Sequence, residues 1–300
     1  MFARFIDASR VRAAMLVALG LAIPLGFVFS GAAVAMTTLR RGAVEGAIVG
    51  LIGFGVIAAL MLALAGGLDR ALVAMLMLLG GIVATAEVLR QTSSLGVTVL
   101  TGIGLALSAL LAFWILVADP VAFFRDGFVA VLDQLQASGA QLDPQQVAAL
   151  VDAMQWRGAA GNVFGTLLVV ALGSVFLGRS WQAQLVNPGG FQQEFHRLRL
   201  GKTVAMATAA SFMAAAFAQW DLVLNLAAVM LYVWIIQGFA VIHGVVGVLN
   251  AGTGWLVAAY FLCIMGWIGA NSLVLLVPLL GLINEFFDLR EFLARKKGGE

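Results

Sequence analysis

The sequence predicts an all-α, polytopic membrane protein with about eight to ten membrane segments. Three observations carry this expectation. The 300 residues are 62% hydrophobic and 11% charged, with mean hydropathy +1.04, whereas soluble domains run about 45–50% apolar and about 25% charged. Near-continuous apolar runs of about 20 residues recur, the length that crosses a bilayer core. Short segments of alternating polarity, which mark a transmembrane barrel, do not occur. Helices close their own backbone hydrogen bonds, as a hydrocarbon solvent requires.

The composition also narrows the function. The net charge is only +2, with the bases scattered over loops, so the charge reads as an orientation signal and not as a nucleic-acid surface. Cys263 is the only cysteine, which excludes an internal disulfide or a Cys-x-x-Cys redox pair. Two histidines cannot build a histidine-rich metal site. No nucleophile, base and orienting group stand together, and no glycine-rich phosphate loop precedes a lysine. The expectation is a protein without a catalytic set, cofactor or metal.

Three regions follow along the chain: N-terminal membrane helices over 1–118, an amphipathic helical hairpin over 119–157, and C-terminal membrane helices over 158–300. Arg4, Arg10 and Arg12 precede the first apolar run, and Ser30 to Ala33 follow it. This resembles a cleavable signal peptide, but further spans come at once, so it reads as an uncleaved first span. That run, Ala13 to Thr38, is interrupted by Pro24 and by Ser30-Gly31, so it is one kinked span or two short ones. Ala43 to Gly66, Ala71 to Val88 and Gly96 to Val117 are the next spans. Glu87 and Arg90, three apart, can pair on one helix face.

Asp119-Pro120 ends the first block. Val121, Phe124, Phe128, Leu132 and Leu135 then recur at helical spacing with charges between them. Asp143-Pro144 offers an N-cap with proline at the first helical position. These are two short amphipathic helices, lying on the membrane surface or closing over a site. Gly161 to Leu177 and Thr203 to Gln219 are spans, separated by the basic stretch Arg179 to Lys202. From Thr203 to Leu289 there is no lysine or arginine. Breaks there must come from Asn250 to Gly254 and from Gly266 to Ser272.

Charge sets the expected topology, since bases near span ends favour the cytoplasm. The basic regions are the N-terminus, Arg40-Arg41, Arg179 to Lys202 and Arg290 to Lys297. With a cytoplasmic N-terminus, a single crossing by Ala13–Thr38 would export Arg40-Arg41 and the 179–202 loop. Two half-length helices hinged near Pro24 to Ser30 keep every basic region inside and place the acidic hairpin outside. Helices of about 12 residues reach only about 18 Å, short of the roughly 30 Å core. They are tolerable only when packed inside protein. The expected location is the inner membrane, multi-pass, with both termini cytoplasmic and broken helices near both ends.

Few side chains could carry chemistry. His243 is the only acidic, basic or imidazole side chain between Leu222 and Leu249. It is a candidate ligand group or a neutral bridge to a neighbouring helix. Gln237, six residues earlier, points to another face, and Asn271 is a further candidate. In the basic stretch, Asn187-Pro188-Gly189-Gly190 opens a short helix on which Phe191 and Phe195 share a face, with Arg197 and Arg199 off it. These four are candidate groups for docking a partner or anionic lipid, or they only fix orientation.

This loop, with Gln237-Gly238-Phe239-Ala240-Val241-Ile242-His243 and Gly281…Asp288-Leu289-Arg290, resembles the YybS-like family of uncharacterised bacterial multi-pass membrane proteins. That family is similar in fold to the substrate-binding subunits of energy-coupling-factor vitamin transporters. The resemblance implies a small-molecule-binding transport component that meets a membrane coupling subunit through a small-residue face on an early helix. Ala14 and Ala18 have the spacing for such a face. The chain is longer than such subunits, and its helical hairpin is additional. The alternative is a non-catalytic scaffold or assembly factor that docks a partner through loop 179–202. The transport reading expects a polar pocket at the midplane containing His243 or Asn271; the scaffold reading expects a filled interior. The topology has its own test: an alkaline phosphatase fused at Gln141 is expected to be active, as an extracytoplasmic reporter. An inactive fusion there would overturn the charge argument.

Overall fold

Short helices at both ends of the chain flank longer ones, all packed side by side. In the computed structural model, residues 2–23, 26–65, 69–268 and 275–298 are described, and among them the chain forms fifteen α-helices, one 3-10 turn and no strand. Five helices are long and apolar enough to cross a membrane: α4 (Ala43–Ala65), α5 (Asp69–Thr92), α6 (Leu95–Leu116), α9 (Ala159–Val186) and α12 (Asp221–Leu249). Shorter apolar helices supplement them, including α11 (Lys202–Ala218), α13 (Gly254–Ile268) and α14 (Leu276–Ile283).

The first apolar run is two helices, not one. After α1 (Phe2–Ala8), α2 (Arg10–Leu21) and α3 (Phe27–Arg41) form an antiparallel hairpin. Ser9 caps α2 by accepting from the Arg12 N–H. Pro24 lies outside the described residues. Near the turn, the Ser30 hydroxyl donates to the Val17 carbonyl at 2.7 Å. At the other end Arg40 pairs with Asp7 at 3.2 Å, and Arg10 pairs with Glu45. The chain therefore leaves this hairpin at the end where it entered.

α3 is the centre of the bundle. Every residue from Ser30 to Leu39 is buried, enclosed by α2, α4, α5 and α9. Its small residues make that possible. A side chain on Gly178 of α9 would meet the Ala32 carbonyl at 2.7 Å. The hydroxyls of Thr37 and Thr38 bond back to the Ala33 and Val34 carbonyls at 2.8 and 3.0 Å. Polar groups are thereby satisfied without water, the condition for a 15-residue helix inside a membrane bundle.

The acidic region is a pair of helices, α7 (Pro120–Ala137) and α8 (Pro144–Ala153). Asp119 and Asp143 cap them, accepting from Ala122 N at 2.8 Å and Gln145 N at 2.9 Å, each with proline next. The 3-10 turn Trp156–Gly158 leads into α9. Helix α9 runs beyond Leu177 to Val186, so Arg179 belongs to its final turns and not to a loop. The turn into α10 (Gly190–His196) uses Gly189 at φ +85°, a left-handed conformation that glycine adopts without strain.

Side-chain contacts place the four basic regions at one end of the bundle. Gln182 of α9 reaches the Leu39 carbonyl at the end of α3. Arg199 pairs with Asp288 at 2.9 Å. In α15 (Leu289–Gly298), Lys297 donates to the Val248 carbonyl at the end of α12 at 2.9 Å. The opposite end holds Arg70, Arg125 and Arg157 against Asp119, Asp126, Asp133, Asp143, Asp152 and Asp221. There Arg157 bonds Asp221 at 2.6 Å, and Arg70 donates to the Phe123 carbonyl at 3.1 Å.

The close approach of α9 to α3 yields a paired prediction. Gly178→Ala is expected to lower the unfolding free energy in micelles by about 1–3 kcal/mol through overpacking. Gly173→Ala on the same helix faces open space and is expected to be neutral or to gain up to about 1 kcal/mol. Denaturant titration of both variants checks this.

Candidate functional site

The basic end is organised around a carboxylate. Glu285 follows α14 and is 2% exposed. Its Oε1 accepts from Gln237 Nε2 of α12 and from the Leu200 N–H, both at 3.0 Å. Its Oε2 lies 3.5 Å from Arg199 Nε. Arg199 also donates to the Glu285 carbonyl at 3.2 Å and to Asp288 at 2.9 Å. Arg290 donates through Nη1 to the His196 carbonyl at 2.6 Å and to the Leu198 carbonyl at 3.3 Å, with Nε 3.7 Å from Asp288. Two cations and two anions thus form a neutral group. It ties the segment after α10 to the segment after α14 and to the middle of α12.

Glycine allows these elements to come together. On α12, a side chain at Gly238 would meet the α14 backbone at Val277, and one at Gly281 of α14 would meet the Trp234 carbonyl at 2.6 Å. Trp234 is itself fully buried, its Nε1 donating to Thr208 of α11 at 2.9 Å. Two buried atoms in this neighbourhood, Gln237 Oε1 and Asn284 Nδ2, have no hydrogen-bond partner among the described residues.

The residues singled out from sequence fall in different surroundings. Gln237 joins Glu285, as above. His243 bonds Tyr260 of α13 at 3.1 Å, beside the stacked Phe239–Tyr260 pair. The two therefore face different neighbours, and His243 links helices α12 and α13. Asn271 lies outside the described residues. Phe195 is buried and packs edge-on to Phe176 of α9, with Phe191 stacked on it at 5.6 Å between centroids. Arg199 is held inside the charged group. Arg197 is exposed, and its guanidinium has no partner among the described residues. Ala14 is buried with its carbonyl toward Gly53 of α4, while Ala18 is half-buried.

Sequence reasoning missed Glu285, Asp288 and Arg290 as a site, counting Arg290 among the basic residues that set topology. The available signal was three charges within six positions beside Phe286 and Phe287, next to Asn284 and directly after an apolar helix.

Two concavities accompany this arrangement. A cavity of about 210 Å³ lies between α5, α6 and α9, lined by Met77, Gly81, Gly102, Ala106, Phe164 and Leu168 among others. It is apolar apart from Thr85, whose hydroxyl bonds the Gly81 carbonyl. A groove of about 350 Å³ opens at the basic end between α10, α12 and α15, with His196 and Arg290 in its wall. His243 lines neither. Burial, and then the charge of Arg290, hold the His196 imidazole below its usual pKa. Among the described residues no group of three or more His, Cys, Asp or Glu could hold a metal ion.

Comparison of the chain with protein-family models, curated proteins and solved structures returns no match.

Removing one member of a buried charged group strands the others. Glu285→Ala is expected to lower the unfolding free energy by about 3–5 kcal/mol. Arg197→Ala is expected to change it by no more than about 0.5 kcal/mol. Unfolding of both variants in detergent micelles measures the difference.

Proposed function

We propose that this chain is a non-catalytic membrane component that works by association, with its basic end and both termini in the cytoplasm. The clustering of four basic regions at one end supports that orientation, because bases flanking spans are retained on the cytoplasmic side. One observation carries the docking role. Around Arg197 the backbone is fixed by Arg199, Glu285 and Arg290, while Arg197 itself projects without a partner among the described residues. A fixed, outward cation is preorganised to receive an acidic segment of a protein partner. Phe191 and Phe195 support the surface from beneath by packing on α9.

A second reading, implied by the resemblance to the YybS-like family and by that family's likeness to energy-coupling-factor subunits, is a transport component that carries a small molecule. What supports it is the space between α5, α6 and α9, although among the described residues that cavity is not the polar pocket with His243 or Asn271 expected from sequence. Its lining is apolar, so the cargo it fits is apolar and of modest size.

Quantitative co-purification with mass spectrometry separates the two. Under the docking reading, a stoichiometric protein partner is retained by the wild type and lost from Arg197→Glu, while Gly81→Leu leaves it in place. Under the transport reading, a bound small molecule is retained by the wild type and lost from Gly81→Leu. Partner retention unchanged in Arg197→Glu would overturn the docking reading.

A further inference from the structure

We propose that the groove between α10, α12 and α15 binds a phosphate group, supplied by an anionic phospholipid headgroup or by free phosphate. This goes beyond the docking reading and does not depend on it, since Arg197 is not among the groove residues.

The central observation is a buried cation whose guanidinium is only partly occupied by its neighbours. Arg290 is 8% exposed and lines the groove. Its Nη1 is committed to two carbonyls, which carry no net charge. Of the two carboxylates in its group, Asp288 lies at 3.7 Å and is held more closely by Arg199 at 2.9 Å, and Glu285 acts on Arg290 only at longer range. No partner of Arg290 Nη2 occurs among the described residues. Burial, with the charge of Arg199, lowers the Arg290 pKa from its usual value against the opposing pull of Asp288 and Glu285. An anion in the groove would meet the unoccupied edge of the guanidinium, whose paired donors suit phosphate oxygens.

The rest of the groove fits the same ligand. Gln192 and Gln193 bring exposed amide donors to its rim, and His196 adds a ring nitrogen. Gly244 and Gly247 make one wall without side chains. The Arg290 methylenes lie over Gly244 and the His196 ring over Gly247, where a Cβ would meet them at 2.6 and 2.8 Å. The carbonyls ending α12 would repel an anion, but Lys297 donates to one of them, Val248, and puts a second cation at the edge. The groove sits at the end of a membrane-spanning helix, the depth at which headgroup phosphates lie.

The test uses the full chain purified in detergent and offered phosphatidylglycerol or phosphatidylcholine, with native mass spectrometry as readout. Phosphatidylglycerol is expected to be retained in preference. Gln192→Glu with Gln193→Glu places negative charge at the rim on exposed positions, and is expected to reduce that retention by about fivefold or more. Arg290→Gln is expected to abolish it; because Arg290 also holds two carbonyls, the rim variant keeps the test independent of folding. Displacement of the lipid by excess inorganic phosphate would identify free phosphate as the source, and resistance to it would identify the headgroup. Equal retention of the two lipids, or no loss in the rim variant together with no phosphate binding, would overturn the site.

Discussion

The Glu285 carboxylate is stable where it lies only because three separate stretches of chain reach it at once. Burying a charge costs several kcal/mol unless it is paired and hydrogen-bonded. Gln237, the Leu200 N–H and Arg199 together meet that condition. The position of the 197–201 segment, the crossing of α14 over α12 and the departure of the C-terminal helix are therefore set jointly. Arg290 extends the arrangement to the carbonyls after α10. A surface at this end inherits its shape from inside the protein.

Elsewhere the same requirement is met by small residues. Lipid gives apolar helices little reason to associate, so close packing and internal hydrogen bonds must do so. α3 illustrates this: alanine, glycine and hydroxyl residues let four neighbours approach, and each hydroxyl cited on it finds a carbonyl. At the opposite end, Asn225 serves a similar purpose, donating to the Arg157 and Asp221 carbonyls at 2.7 and 2.6 Å. Threonine hydroxyls in this bundle mostly bond their own helix, whereas Ser30, Asn225 and Gln237 reach other segments.

What could be read in the sequence was what depends on local chemistry. Hydropathy gave the helical membrane class, and Asp119-Pro120 and Asp143-Pro144 announced two helix starts that the structure contains. α2 ends at Leu21 and α3 begins at Phe27, as a break in the first apolar run requires, but Ser30 and Gly31 lie inside α3 and do not interrupt it. The candidate site was far less legible. Glu285 meets Gln237 across 48 positions and Leu200 across 85, and no periodicity connects such distant residues. The Phe191 and Phe195 face was recognisable as apolar, yet an apolar face in a membrane protein can meet lipid or protein equally well. Phe176, its actual neighbour, lies on a different helix. His243 stood out as a lone imidazole, but Tyr260 gave no hint that it was the partner.

The α2–α3 hairpin has a consequence for sidedness. Because it returns the chain to the end it came from, it makes no net passage across the bundle. Everything from α4 onward would keep the same inside-outside sense if the hairpin were counted as zero, two or any even number of crossings. The N-terminal helices can then serve as a central packing element without governing the direction in which the remaining helices thread the membrane.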